Sequence, residues 1–370
     1  MRPLAYVTAA VLALCYSGLV SAAPPPPPIP QAIFAPEAQI WYDNLPNSNL
    51  GDLLALNISV PGLSIGTICQ VTTGESEINA AASITALALS PTFDLRKTYF
   101  LIAGIAGVNP KQATLGGVAL ARYAVQVALQ HEFDAREMPE DFATGYVWYD
   151  TKGPYQYPTI LYGTEVMEVN EALRGAAFDY AVQAKLADNE EAVAYRARYE
   201  PAGTDYAAAM KEPSVVKCDT ATSDVYYSGT LLSEAFENVT RVWTNGTGVY
   251  CMTAQEDNAT LEVLVRMAIR GIVDFARVLV MRTGSNFDRP PPNVTAYEHL
   301  LVLQQNGFPI AIDNIFRAGV EIVKGILADW DRVFDKGIKP TNYIGDIFGS
   351  LGGEPDFGPG SRTDGREGNT

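Results

Sequence analysis

Histidine is nearly absent from this chain: 370 residues hold two, His131 and His299. A histidine metal centre or a Ser/His/Asp arrangement therefore has almost no material. Cysteine is scarce as well, four in all, and no two stand at CxxC spacing. Metal-knuckle and thiol-redox chemistry fall away with it, and no motif for a metal or a cofactor is found. Positive charge is short: Lys+Arg number 26 against 42 Asp+Glu, a net charge of -16. Such a surface repels nucleic acid, offers no polybasic patch to anionic lipid and disfavours a highly charged phosphate substrate. Past the first residues, membrane-length apolar runs are lacking. Residues 80–107 are broken by Pro91, Asp94, Arg96 and Lys97, and residues 261–281 by Arg266, Arg270, Asp274 and Arg277. Spanning takes about twenty apolar residues with few charges. Carboxylates are what remains for acid/base work.

The amino terminus has the form of a secretory leader. Arg2 supplies the positive start, residues 4–20 the apolar stretch and Val20-Ser21-Ala22 a small-residue cleavage site. Residues 1–22 are expected to be removed, and residues 23–30, with prolines at 24–28 and 30, form a stiff spacer. Of the three cysteines left, Cys218 and Cys251 are expected to pair in an oxidising compartment, with Cys69 left over and buried. Sequons at Asn57, Asn238, Asn245, Asn258 and Asn293 fit export and N-glycosylation. Asn258 lies inside a site motif and is expected to be bare. The protein is expected outside the cell.

Residues 31–348 read as one α/β domain in which strands alternate with helices around a single central mixed sheet, and residues 349–370 as a disordered tail. The pattern gives strands at 69–73, 99–103, 214–219 and 277–281 and helices at 79–89, 231–240, 260–270, 297–305 and 314–334. Residues 166–198 read as helix, 118–131 as strand or helix, and the aromatic stretch 138–165 as irregular. Two segments end in glycine turns: residues 73–82 and 99–107. In open α/β sheets ligands bind where such strand ends meet their loops, and Glu75 and Glu77 belong to that mouth. Gln255-Glu256-Asp257 opens a helix, where a carboxylate suits two ribose hydroxyls or simply complements the helix dipole. Asn286 and Asp288 leave a strand end, suited to a base edge or to an Asx turn. Paired carboxylates fit cleavage of a glycosidic bond, whose transition state resembles an oxocarbenium ion.

Together the segments 34–37, 73–82, 103–107, 217–219, 253–258 and 282–288 resemble the fungal purine nucleoside permease family over nearly the whole mature chain. Their order is distantly similar to the nucleoside phosphorylase fold and its hydrolytic branch, the methylthioadenosine/adenosylhomocysteine nucleosidases. The resemblance implies a three-layer sandwich of that fold and a purine nucleoside as substrate. By position, Glu256 would hold the ribose, with Gln255 and Gly104 beside it. Asn286 would touch the purine where hydrolases of the fold carry an aspartate acid, leaving Asp288 or Asp219 as substitute acids. Arg282 and Thr73 would face the nucleophile, and Glu37 would activate water. Phosphorylases of the fold clamp phosphate with arginines at the first loop and before the second glycine turn; here those places hold residues 35–37 (Ala-Pro-Glu) and Ile102. Water is thus the expected nucleophile and a secreted nucleosidase the expected activity. A phosphorylase and a non-catalytic nucleoside-binding protein that assists transport are the rivals. By the same analogy a dimer or trimer is expected.

Overall fold

The computed structural model describes residues 9–16, 36–44, 53–56, 68–91 and 93–355. The elements run β1 (Ala9–Tyr16), α1 (Pro36–Asn44), β2 (Leu53–Leu56), β3 (Ile68–Gly74), α2 (Ser76–Ala88), β4 (Asp94–Val108), β5 (Val118–Ala121), β6 (Tyr123–Gln126), β7 (His131–Glu132), β8 (Tyr146–Val147) and β9 (Val166–Glu168). After these come α3 (Glu171–Ala181), α4 (Glu190–Arg196), β10 (Val215–Lys217), β11 (Asp219–Thr222), α5 (Thr230–Trp243), β12 (Tyr250–Ala254), α6 (Asp257–Ile269), β13 (Val278–Phe287), α7 (Phe308–Ala328) and β14 (Gly345–Asp346).

One mixed sheet carries the order β10-β5-β13-β4-β12-β11-β6-β9-β14, and β1 joins β3 and β2 to it through β4. Alternation along β4 explains the layers. Phe100 and Ile102 pack with Leu87 of α2 and Leu264 of α6, whereas Tyr99, Leu101 and Ile105 pack with Ile315 and Ile322 of α7. The sheet is thus covered on both faces, α2 and α6 on one, α1, α3 and α7 on the other. Strands buried on both faces read as continuous apolar runs, which is how β4 and β13 stand out in the sequence.

Several expectations need correction. Residues 166–198 are not one helix: β9 comes first, paired antiparallel with both β6 and β14. Asn170 then caps α3, its Oδ1 accepting from the amides of Ala172 and Leu173. β4 runs on through both of its glycines to Val108 instead of ending in a turn. Residues 283–287, expected as loop, continue β13. The segment 297–305 holds only a short turn at Glu298–Val302. Most of the expected tail lies outside the described residues.

Cys218 and Cys251 are disulfide-bonded, stapling the start of β11 to β12, and Cys69 is buried with its thiol intact. Asn258 is 1% exposed and its Nδ2 donates to the carbonyl of Thr164 at 2.7 Å, which leaves no room for a glycan in this fold. Asn245 and Asn293 stand exposed in turns. Residues 9–16, inside the expected leader, form β1 between β3 and β4, antiparallel to each. Removal of a leader near Ala22 would withdraw that strand. Among the described residues no helix is long and apolar enough to cross a membrane.

Candidate functional site

The site lies where the sheet changes direction. β4 runs parallel to β13 for most of its length, then meets β12 antiparallel at Gly107 and Val108. Strand ends from β4, β11, β12 and β13 therefore converge on one spot. Ile105, Ala106 and Gly107 form one wall, Thr253, Ala254 and Gln255 a second, Ser285 and Asn286 a third, and residues of the loop 223–229 the roof. Local sequence makes this geometry. A register shift between Gly284 and Asn286 inserts Ser285 as a bulge, and Asn286 comes to sit opposite Gly107. Bulges re-aim side chains in this way. Ser285 Oγ donates to the Ala106 carbonyl at 3.1 Å and to Asn286 Oδ1 at 2.9 Å. Gly107 cannot carry a side chain: a Cβ there would lie 2.6 Å from Thr253 Oγ1, which accepts the Gly107 amide at 3.0 Å.

The cavity enclosed is small, about 30 Å³, one water's share and far below the roughly 300 Å³ at which ligand pockets begin. Its walls carry no charged side chain. Tyr226, about half exposed on the roof, stands beside Asn286. A larger hollow of about 440 Å³ lies between α2 and α6, lined by Glu77, Ile78, Asn258, Glu262 and Arg266 among others. It is a groove between helix flanks. The strand-end cavity is the better site because bulge, glycine and polar groups converge on it.

Charge sits one layer below. Arg282, fully buried on β13, donates from Nε to Asp257 Oδ1 at 3.1 Å, from Nη1 to the Ile105 carbonyl at 3.2 Å and from Nη2 to Glu256 Oε2 at 3.1 Å. Its Nη2 also bonds Asp257 Oδ1. Glu256 Oε1 accepts the Ser76 amide at 3.1 Å. Ser76 reaches this position with φ of 70°, a left-handed conformation uncommon outside glycine. Burial pushes the Glu256 carboxyl up and Arg282 pulls it back; Arg282 itself stays charged, held by both carboxylates. Asp257 Oδ2 is buried with no hydrogen-bond partner. Next along α2, the Glu77 amide donates to Asp224 Oδ1 at 2.8 Å. A helix start is a ready anion site, and here two of its first amides already serve the protein's own carboxylates.

Residues 31–339 match the model of the family described as purine nucleoside permease. The chain belongs to that family. A purine nucleoside permease of Candida albicans is 47% identical over 318 residues, covering 82% of this chain and 77% of the relative. A probable purine nucleoside permease of Schizosaccharomyces pombe is 41% identical over 317 residues, covering 80% and 88%. Among solved structures, the 5'-methylthioadenosine/S-adenosylhomocysteine nucleosidase of Neisseria meningitidis superposes with a TM-score of 0.41 at 15% identity, over 72% of this chain and 84% of that one. The corresponding nucleosidase of Colwellia psychrerythraea gives 0.40 at 13%, over 72% and 81%.

In this permease-family chain the expected site residues fall into four groups. Asn286 and Gln255 line the cavity. Glu256, Arg282 and Gly104 lie together beneath it, Gly104 paired with Arg282 across β4 and β13. Nε, Nη1 and Nη2 of Arg282 each hold a protein acceptor. Asp288 is close but screened, its Oδ2 accepting from Tyr250 at 2.7 Å. Asp219, Thr73 and Glu37 are not on the walls. Asp219 accepts the amides of Arg122, Tyr123 and Val249 at 2.8, 2.9 and 2.7 Å at the far end of β11; it fastens backbone and is no acid for this cavity. Thr73 donates its hydroxyl to the Gly74 carbonyl at 3.1 Å. Glu37 is buried in the first turn of α1. The sequence reading missed Tyr226 and Tyr227, which stand in no motif, and gave no role to Thr253, the first residue of the segment 253–258; the three meet only through the strand order. It named Glu77 without a role; burial raises that carboxyl to about 7, against a hydrogen bond from Gln126.

Proposed function

We propose that this protein binds purine nucleosides at the strand-end cavity, with the roof displaced, and hydrolyses the N-glycosidic bond to free base and ribose outside the cell. One observation carries the choice of water over phosphate: among the described residues no free cation lines the cavity. Arg282 is consumed by Glu256, Asp257 and the Ile105 carbonyl, and amides at the α2 start are consumed by Glu256 and Asp224. A phosphate dianion would meet neutral walls above buried carboxylates, whereas the same negative charge favours an oxocarbenium-like sugar. Asn286 supplies a donor and an acceptor to a purine edge. The unpartnered Asp257 oxygen supports a hydroxyl-bearing ligand nearby, since a buried acceptor left unpaired costs about 1–3 kcal/mol.

A second reading has its own support. Among the described residues no carboxylic acid lines the cavity to protonate a departing base, and the relatives are named permeases; both support binding without cleavage, in aid of transport. Incubation with adenosine, inosine and guanosine, with and without phosphate, separates the readings. Base released without phosphate supports hydrolysis, and base released only with phosphate makes the protein a phosphorylase. Micromolar binding with no release supports the binding protein; neither release nor binding overturns all three. If hydrolysis is found, Glu256→Gln should lower kcat by ten- to a hundredfold with little change in KM, because the contact sharpens in the transition state.

A further inference from the structure

The roof of the cavity is tied down from behind by one carboxylate. Tyr227 lines the cavity, and its hydroxyl lies 3.1 Å from that of Tyr250. Tyr250 donates its only proton to Asp288 Oδ2 at 2.7 Å. Tyr227 is therefore the donor within the phenol pair, and its own proton is spent away from the cavity. Burial pushes both phenols up, so each keeps its proton across the physiological range. Arg289 closes on Asp288 from the other side, donating from Nε to Oδ1 at 2.9 Å and from Nη2 to Oδ2 at 3.0 Å. The Asp288 backbone takes the other end of the loop: its carbonyl accepts the Gly229 amide at 2.9 Å and Ser233 Oγ at 3.1 Å. Gly229, at φ of 124°, turns the loop into α5 at that point.

We propose that Asp288 is a positioning residue: through Tyr250 to Tyr227, and through its carbonyl to Gly229, it fixes the loop 223–229 as the roof and so sets affinity for the base. This deepens the nucleoside reading and rests on it. It gives Asp288 a task other than protonating a leaving group, from which two phenols separate it.

Tyr250→Phe keeps the packed ring and removes the link. In that variant, amide hydrogen exchange across residues 225–229 should quicken about tenfold, the upper range for loss of one neutral hydrogen bond. Affinity for adenosine or inosine should rise by up to a similar factor, since binding displaces the roof that this link holds down, with kcat within about twofold of wild type and an unaltered pH profile. A hundredfold fall in kcat with loss of one limb of the pH profile would make the relay catalytic and overturn the proposal. Unchanged exchange and unchanged affinity would overturn it as well. Should Tyr250→Phe fail to fold, Tyr227→Phe cuts the same chain one link nearer the cavity and is read by hydrogen exchange alone, since Tyr227 itself lines the cavity. If wild type neither binds nor cleaves any nucleoside, the functional reading fails by itself, and the exchange measurement still decides whether Asp288 holds the roof.

Discussion

Two arginines on one strand and its exit, Arg282 and Arg289, are both fully buried and both paired with carboxylates, yet they do different things. Arg282 is sealed. Its partners Glu256 and Asp257 are themselves fully buried, and the cluster joins β13 to the starts of α2 and α6 beneath the cavity floor. Arg289 is open on one side. Beyond Asp288 it reaches Glu237 and the half-exposed Glu234, which also hold Lys111. The lesson is that buried positive charge in this chain neutralises the chain's own acids. Neither guanidinium is left for an inorganic anion, and the one beneath the cavity sets its polarity while the one behind holds its roof.

The comparison can be broken hardest at Arg282. Arg282→Met strands two enclosed carboxylates and should cost about 3–5 kcal/mol, read as a lowered midpoint in urea. Arg289→Met should cost less, since Asp288 keeps the Tyr250 hydroxyl and Glu234 keeps solvent; equal losses would erase the distinction. Gly107→Ala tests the wall between the two clusters. Its methyl would meet Thr253 Oγ1 at 2.6 Å, and a displacement of that kind costs about 1–3 kcal/mol. Ligand affinity should fall along with stability, since Thr253 lines the cavity; an intact affinity would move the site elsewhere.

The smallest effect concerns Glu77, whose carboxyl is raised from the ordinary 4.5 to about 7, chiefly by burial. Between those values the folded state binds more protons than the unfolded one, so the contribution is fully present below about 4.5 and is lost as pH rises through about 7. Glu77→Gln should therefore melt above wild type at pH 8 and near it at pH 4. Parallel melting curves across that window would show that Glu77 titrates normally.

Much of the fold was legible because burial on both faces leaves continuous apolar runs, as in residues 99–106 and 278–281. That one disulfide forms was legible because three cysteines remain once a leader is set aside; which two pair was not, since three allow three pairings, and the structure joins Cys218 to Cys251. What misled was turn chemistry. Gly104 and Gly107 read as a strand's end, yet Gly107 is small because Thr253 crosses it from the neighbouring strand. The strand expected to end at 281 runs on to Phe287 with a bulge at Ser285. Asp219 read as a site acid, and only the path of three backbone amides around it shows a fastening role.

The amino-acid sequence by itself determined the layered α/β class, the acidic surface, the shortage of histidine and free cation, and the family, since each is a property of composition or of motifs in order. The tertiary structure alone decided which polar groups share a cavity. Strand order, a one-residue bulge and the reversal of direction beside β4 bring Asn286, Gln255, Thr253 and Tyr227 together from distant segments, and burial decides which of the nearby charges are already spoken for.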